Sequence, residues 1–512
     1  MTRLLNLPVE NKHTCDGCGE CARAQRLANR IPSGALPAGN TGARDFSSIA
    51  RQLPELDASS CVGCMDCVTQ CPDSAILAKV VSVSLVDREV GRLGDDAAMA
   101  RQWIVRTTKF HDVPVRKGFE PGSFVLAVDP TRCKGCGECV TACGAHSALR
   151  MVAKNESVMR AVSSGARLLA TLPDTDAIYI QDKVLMDMML KPAALLYQGG
   201  GASCMGCGEA TAIRMTLAAT GFVYGPQGVG VVAATGCNTV FGSTFPHNPY
   251  LVPWTSSLFE NAPAVAMGIR ARWNAQGMAR NRLWVIGGDG AMFDIGLQTL
   301  SRMLASGMDI KVLILDTQAY SNTGGQAATS SFHAQEGKLS AYGSTLKGKT
   351  ERRKELAQIA MMHPDVFVAQ TTCAHVTHFY RSILAANEFP GPAVVIAYAP
   401  CQPEHGIADD ASIHQAELAV TSRAFPLLVH DPRQGSALRE RLSLQGNPAS
   451  KKDWYVTPKG ETIDFIAFAR TEGRFARQFD KEGTPSPELQ AAQADRLRNW
   501  HQLQELAGLR PS

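Results

Sequence analysis

The cysteines constrain this chain more than any other feature. Sixteen occur in 512 residues, and all but Cys373 fall into groups with a recognisable spacing or setting. Three groups repeat C-x-x-C-x-x-C: Cys15, Cys18, Cys21; Cys61, Cys64, Cys67; and Cys133, Cys136, Cys139. The last two runs continue to Cys71 and Cys143, followed by Pro72 and Gly144. Paired runs of this kind mark a two-cluster ferredoxin, in which three thiolates of one run hold a cubane cluster and the fourth ligates the other. A tight three-cysteine loop reaches three corners of the cubane, so the last thiolate must arrive from another direction. The spacing therefore groups Cys61, Cys64 and Cys67 with Cys143, and Cys133, Cys136 and Cys139 with Cys71. Zinc sites usually join two separated C-x-x-C units instead. Disulfides are the other alternative, but nothing here directs secretion, and cytosolic thiols stay reduced.

Composition removes several functional classes. The formal net charge of +4 is small and forms no long basic block, which argues against nucleic acid as a partner. No apolar run reaches the ~18 residues of a membrane span, and the N-terminus turns polar too early for a signal peptide. The expected address is cytoplasmic. The length allows two to four domains.

The chain divides into five expected regions. Residues 1–50 are a cysteine-containing segment ending in a Gly/Pro/Asn-rich loop, and 51–153 an α+β ferredoxin-like domain with two 4Fe–4S clusters. Residues 154–198 read as a helical linker. From 199 to 425, short apolar runs such as GVGVVAAT, LWVIGG, IKVLILD and PAVVIAYA alternate with helix-like stretches, the pattern of an α/β domain with a mainly parallel sheet. Residues 426–512 are a helical extension. Its last helix, with Ser486 as cap, Pro487 in the first turn and Leu489, Leu497, Trp500 and Leu503 on one face, is expected to pack on a neighbour.

Two loops in the α/β region carry cofactor chemistry. LWVIG runs into Gly288-Asp289-Gly290, and IKVLILD into Thr317-Gln318-Ala319-Tyr320-Ser321-Asn322. Ligands of open α/β sheets sit at the carboxyl ends of strands. Asp289 can offer magnesium a carboxylate, Thr317 a hydroxyl and Ala319 a backbone carbonyl, leaving positions for two phosphates. The pair of loops has the spacing found in thiamine-diphosphate enzymes. Cys204, Cys207, Cys237 and Cys401 sit beside glycines or at strand ends; they suit a third 4Fe–4S cluster near the thiamine, or buried structural cysteines.

The segments CVGCMDCVTQCPDSA, CKGCGECVTAC, GASCMGCGEA, ATGCNTVFGSTFPHNPYLVPWTSSLFENAPAVAMG and LDTQAYSNTGGQ together resemble the pyruvate:ferredoxin oxidoreductase family, over its C-terminal half. The resemblance implies that Cys204, Cys207, Cys237 and Cys401 bind the cluster nearest the thiamine. It implies that Glu209, Cys237, Asp289, Gly290, Ala291, Met292 and the residues Thr317 to Asn322 contact the cofactor. Asp289, Thr317 and Ala319 would hold magnesium, and Asn322 would lie near the reacting carbon. The implied reaction is oxidative decarboxylation of a 2-oxoacid, pyruvate first, with coenzyme A to acyl-CoA, carbon dioxide and reduced ferredoxin. 2-Oxoglutarate and aromatic or branched 2-oxoacids remain open as substrates, and a pure electron-transfer module is the reading from another class.

The family's single-chain members are longer, so a companion subunit is expected to carry the pyrimidine-binding and substrate-binding domains, in a dimer of heteromers. Trp254 to Ala262 is a candidate part of that interface. Cys15, Cys18 and Cys21 fall outside the resemblance; Gln25 stands where a fourth cysteine would come, leaving a fourth cluster, a zinc site or a decayed motif open. His247 and His405 read as structural histidines, and Cys373 as a buried bystander.

Overall fold

The computed structural model describes residues 38–181, 183–199, 202–242 and 247–510; Cys15, Cys18 and Cys21 lie outside the described residues. The two complete cysteine runs fold as copies of one local design. In each, a left-handed glycine (Gly63, φ 70°; Gly135, φ 78°) and a left-handed residue two positions on (Met65, φ 75°; Gly137, φ 91°) turn the backbone into a short helix. These helices are α1 (Asp66–Gln70) and α2 (Glu138–Cys143). A β-carbon on Gly135 would stand 2.7 Å from the Gln52 carbonyl oxygen, so only glycine fits that turn.

Five strands frame these loops: β1 (Gln52–Leu56), β2 (Ile76–Ser82), β3 (Ile104–Val105), β4 (Gly122–Val128) and β5 (Leu149–Ala153). β1 and β5 pair antiparallel and tie the two ends of the segment together. β2, β4 and β3 form a second antiparallel sheet in that order. The stretch read as a linker is part of this unit. Its helix α3 (Glu156–Thr171) lays Leu168 and Leu169 on Val81, Val125 and Ala127. Its spacing of apolar residues suited a helix, but nothing local showed which surface it would cover.

The α/β unit is built on one eight-stranded sheet. Its strands are β6 (Val229–Ala234), β7 (Trp254–Ser257), β8 (Arg282–Gly288), β9 (Lys311–Asp316), β10 (Phe367–Thr372), β11 (Ala393–Tyr398), β12 (Leu428–His430) and β13 (Leu442–Ser443). The order is β13-β12-β10-β11-β9-β8-β6-β7. Strands β6 to β11 run parallel, and β12 and β13 add an antiparallel edge. Every residue of β6, β9, β10 and β11 is buried because both faces of the sheet are covered; β6, β9 and β11 accordingly read as apolar runs, whereas β10 ends in the buried polar residues Gln370, Thr371 and Thr372. Helix α4 (Gly208–Tyr224) is buried all round from Gly208 to Gly221 and shares one core with the ferredoxin-like unit, joining Val68 and Phe124 to Ile213, Trp284 and Phe379.

The C-terminal extension belongs to the same body. β12 and β13 come from it, and its helix α5 (Pro487–Leu506) starts as its sequence suggests, with the Ser486 hydroxyl accepting from the Leu489 amide at 3.1 Å. The helix packs on its own chain rather than on a neighbour. Leu489, Trp500 and Leu503 enter the core containing Val285 and Ile314, and each such side chain contributes about 1.5–3 kcal/mol. Among the described residues no helix is long and apolar enough to cross a membrane.

Candidate active site

The folded cysteine runs bring their thiols together in crossed sets. One void is lined by Cys61, Cys64, Cys67 and Cys143, a second by Cys71, Cys133, Cys136 and Cys139. Burial, then Cys64, Cys61 and Cys143, push the Cys67 thiol far up; burial, then Cys136, Cys71, Cys67 and Cys133, do the same to Cys139. Burial also lifts Cys133 to about 12 and Cys64 to about 11. Such thiols ionise only beside a compensating positive charge, which an iron–sulfur core supplies. Among the described residues no three His, Cys, Asp or Glu side chains close on a single-ion site; the thiols face one another across voids instead. Cys67 acts on Cys139, so the two cages are neighbours.

The four scattered cysteines also meet. Cys207 caps α4, Cys237 opens a short helix (Cys237–Gly242), and Cys401 caps another (Gln402–His405) at the end of β11. Cys204 comes from the loop before α4. That loop passes so close to the 409 backbone that a β-carbon on Gly206 (φ 70°) would sit 1.9 Å from the Asp409 carbonyl oxygen. Burial, then Glu209, Cys207, Cys401 and Cys204, raise the Cys237 thiol. Lys134 links this third cage to the second: its ammonium donates to the Ser203 carbonyl at 2.7 Å and pairs with Asp73 at 2.8 Å.

Beside the third cage the two cofactor loops face each other. Thr317 Oγ1 lies 3.4 Å from Asp289 Oδ1 and donates to the Ala319 carbonyl at 3.1 Å. Magnesium binds octahedrally at about 2.0–2.1 Å, which sets neighbouring ligand oxygens about 3 Å apart. The two separations from Thr317, to the Asp289 and Ala319 oxygens, are close to that spacing. The Asp289 carboxylate accepts from the amides of Gly290 and Ala319, both at 3.0 Å, and from the Ser330 hydroxyl. Burial, then Asp316, push its carboxyl above the usual range, and a dication would reverse that shift.

Two contacts fasten this loop to the third cage. The Ser321 hydroxyl donates to Thr317 Oγ1 at 2.8 Å and reaches the Cys401 thiol. His405, fully buried, accepts from the Cys401 amide at 3.4 Å through Nδ1, so its Nε2–H donates to the Thr317 carbonyl at 2.7 Å. Burial, then Arg474, hold it neutral. His405 is thus a structural histidine with a definite task. Glu209 is the other link. Burial, then Asp289, push it up to about 8, and among the described residues its Oε2 has no partner, nor does the buried Asn238 Nδ2. Two unsatisfied polar atoms, on Glu209, which senses Asp289, and on Asn238, which bonds Glu209, fit a bound polar ring.

The remaining expected contacts divide by exposure. Tyr320 and Asn322 are open to solvent, and the Tyr320 ring lies where a β-carbon on Gly290 would come within 2.6 Å. Ala291 and Met292 are buried in the apolar core. The Gln318 side chain is turned inward onto Arg474 at 2.7 Å, so only its backbone is placed to meet a ligand. Cys373 is buried and joins no cage; its carbonyl accepts from Gln70 at 2.8 Å. Sequence reasoning missed Ser330 and Arg353, which stand in no motif, and gave no role to Asn238 or to Asp316, which pairs with Arg353 behind Asp289, although both lie inside the quoted segments.

Comparison with known proteins bears on both units. Residues 234–397 match the thiamine pyrophosphate enzyme, C-terminal TPP binding domain, and 125–149 match a 4Fe-4S binding domain. The pyruvate-flavodoxin oxidoreductase of Rhodospirillum rubrum is 27% identical over 94% of this chain and 44% of its own length. The pyruvate synthase subunit PorB of Pyrococcus furiosus is 35% identical over 44% of this chain and 70% of its own. Among solved structures, a 2-oxoglutarate:ferredoxin oxidoreductase from Magnetococcus marinus aligns at 20% identity and a TM-score of 0.37, covering 44% of this chain and 72% of that one. The chain spans less than half the length of the long single-chain relative.

Proposed function

Because the chain belongs to the 2-oxoacid:ferredoxin oxidoreductase family, we propose that it is the thiamine-diphosphate and iron–sulfur subunit of an enzyme that oxidatively decarboxylates a 2-oxoacid, pyruvate first. The carrying observation is the fastening of the Cys204/Cys207/Cys237/Cys401 cage to the Asp289/Thr317/Ala319 loop through Ser321, His405 and Glu209. When bound, thiamine diphosphate supplies the electron sink for decarboxylation, and 4Fe–4S clusters accept electrons singly. Pyruvate and coenzyme A then yield acetyl-CoA, carbon dioxide, a proton and two electrons, which leave on ferredoxin or a similar acceptor.

The chain's own residues do the positioning. Asp289, Thr317 and Ala319 hold magnesium, Gly290 lets the backbone approach the diphosphate, and Glu209 and Asn238 offer their unpartnered atoms to the cofactor. The two ferredoxin-like cages lie beyond the third, joined to it at Lys134 and Asp73. A pure electron-transfer module would have no use for the Asp289 loop.

The second half of the thiamine site comes from a companion subunit. Val240, Leu258, Ile295, Tyr320 and Leu339 are exposed large side chains, and each follows the carboxyl end of a parallel strand, around the cofactor loops. Such a face suits an obligate apolar interface, with the companion's pyrimidine-binding domain as its occupant and a dimer of heteromers as the assembly. The test is to express the chain with and without its co-purifying companion and measure 2-oxoacid-dependent dye reduction with coenzyme A over a panel of 2-oxoacids. Turnover is expected only with the companion, and best with pyruvate. Full turnover by the isolated chain would refute the divided site.

A further inference from the structure

A charged group that the thiamine chemistry leaves unused lies between the two ferredoxin-like cages. Arg214, on α4, is 2% exposed. Its Nη1 donates to the backbone carbonyls of Val68 and, at 3.0 Å, of Thr69. Both carbonyls belong to α1, the helix that carries Cys67 and ends against Cys71. Its Nε and Nη2 are buried with no hydrogen-bond partner among the described residues. The negative or ionisable groups acting on it are Cys71, then Tyr380, Asp73 and Cys67. Asp73 is already taken by Lys134 at 2.8 Å. Cys71 lines the second cage and Cys67 the first.

A guanidinium cannot shed its proton, and a buried charge without a partner is costly. Lys134, also a buried cation here, is neutralised by the Asp73 carboxylate; among the described residues Arg214 has no carboxylate of its own. What remains to balance it is the charge of whatever the thiols of Cys67 and Cys71 hold. A 4Fe–4S core on four thiolates goes from a doubly to a triply negative site when it takes one electron; no bond breaks and no proton moves. A fixed positive charge beside it favours the reduced form, and net local charge is one of the protein's levers on cluster potential. We propose that Arg214 raises the reduction potentials of both ferredoxin-like clusters by holding one uncompensated positive charge between Cys67 and Cys71. The proposal rests on both cages holding clusters, and it makes Arg214 a tuning residue rather than a catalytic one. It also gives α4 two duties, with Cys207 and Glu209 at its N-terminus by the thiamine loops and Arg214 further along, against α1.

The experiment compares the wild-type complex, purified anaerobically, with Arg214→Gln and Arg214→Lys. Iron and sulfide analysis comes first: iron missing from the wild type as well counts against the cluster reading, not against Arg214. Dithionite titration followed by electron paramagnetic resonance then reads the midpoint of each one-electron step. Arg214→Gln is expected to lower the reduced-to-oxidised ratio of the two ferredoxin-like clusters at least tenfold at fixed potential, about 59 mV per one-electron step. The third cluster should not move, and Arg214→Lys should stay within threefold of wild type. A glutamine variant within threefold of wild type, or a lysine variant that falls as far as glutamine, overturns the proposal. Should the glutamine chain alone lose its iron, the lysine variant decides: a tenfold fall with the charge retained overturns the role of charge.

Discussion

Replacing Asp289 by alanine is the sharpest perturbation of the cofactor loop. The carboxylate is 2% exposed and accepts from two backbone amides at 3.0 Å and from Ser330. Its removal takes one of three oxygens from the proposed magnesium face and the only formal negative charge among them. Breaking a buried ion pair from one side costs about 3–5 kcal/mol. At about 1.4 kcal/mol per tenfold, Asp289→Ala should weaken magnesium-dependent thiamine diphosphate binding by roughly 10²- to 10⁴-fold, and turnover should vanish. The two orphaned amides add a local cost of about 1–3 kcal/mol each, so folding must be checked separately. Iron content and far-ultraviolet circular dichroism should match wild type, because no cage thiol touches Asp289. Calorimetric titration of the chain with its companion reads the affinity. Wild-type affinity in a chain with full iron content would refute the assignment of Asp289 and, with it, the proposed magnesium site.

Three further outcomes follow from the site and the core. Three filled cages predict 12 irons per chain, from four per cluster; anaerobic analysis near four or eight, with zinc making up the difference, would sink the three-cluster reading. Cys401→Ala should spare thiamine binding and slow cofactor oxidation; rapid mixing with substrate should then show delayed cluster reduction, and prompt reduction of every cluster would argue against Cys401 as a ligand. Burial, then His375, lower His378 from 6.5 to about 4. Between those values the unfolded chain binds the proton and the folded chain does not, so stability present above the unfolded value is lost as pH falls toward 4, by about 3 kcal/mol. His378→Gln should flatten that loss in melting curves taken between pH 7 and pH 5; parallel curves for the two proteins would exclude it.

What was legible in the sequence was whatever is local. Cys61 to Cys71 and Cys133 to Cys143 carry their geometry in their spacing, because three thiols within seven residues can only line one side of a small void. The left-handed glycines that turn each loop are part of the same run. The parallel sheet could be read from unbroken apolar strands, and the cofactor loops from their place at strand ends. Ser486 announced the start of α5 through its own hydroxyl. The tertiary structure alone decided which surfaces meet. Nothing in GASCMGCGE, ATGCN and APCQPEH shows from spacing that four cysteines spread over almost two hundred residues converge; helix α4 and strands β6 and β11 had to be packed first. Ser330 reaches Asp289 across 41 residues, and Arg214 reaches α1 across 146. The same holds for α3 and α5, whose apolar faces were visible while their partners were not. Backbone conformation is set mainly by near neighbours, whereas burial and charge pairing depend on groups distant in sequence that only the folded core brings within a few ångströms.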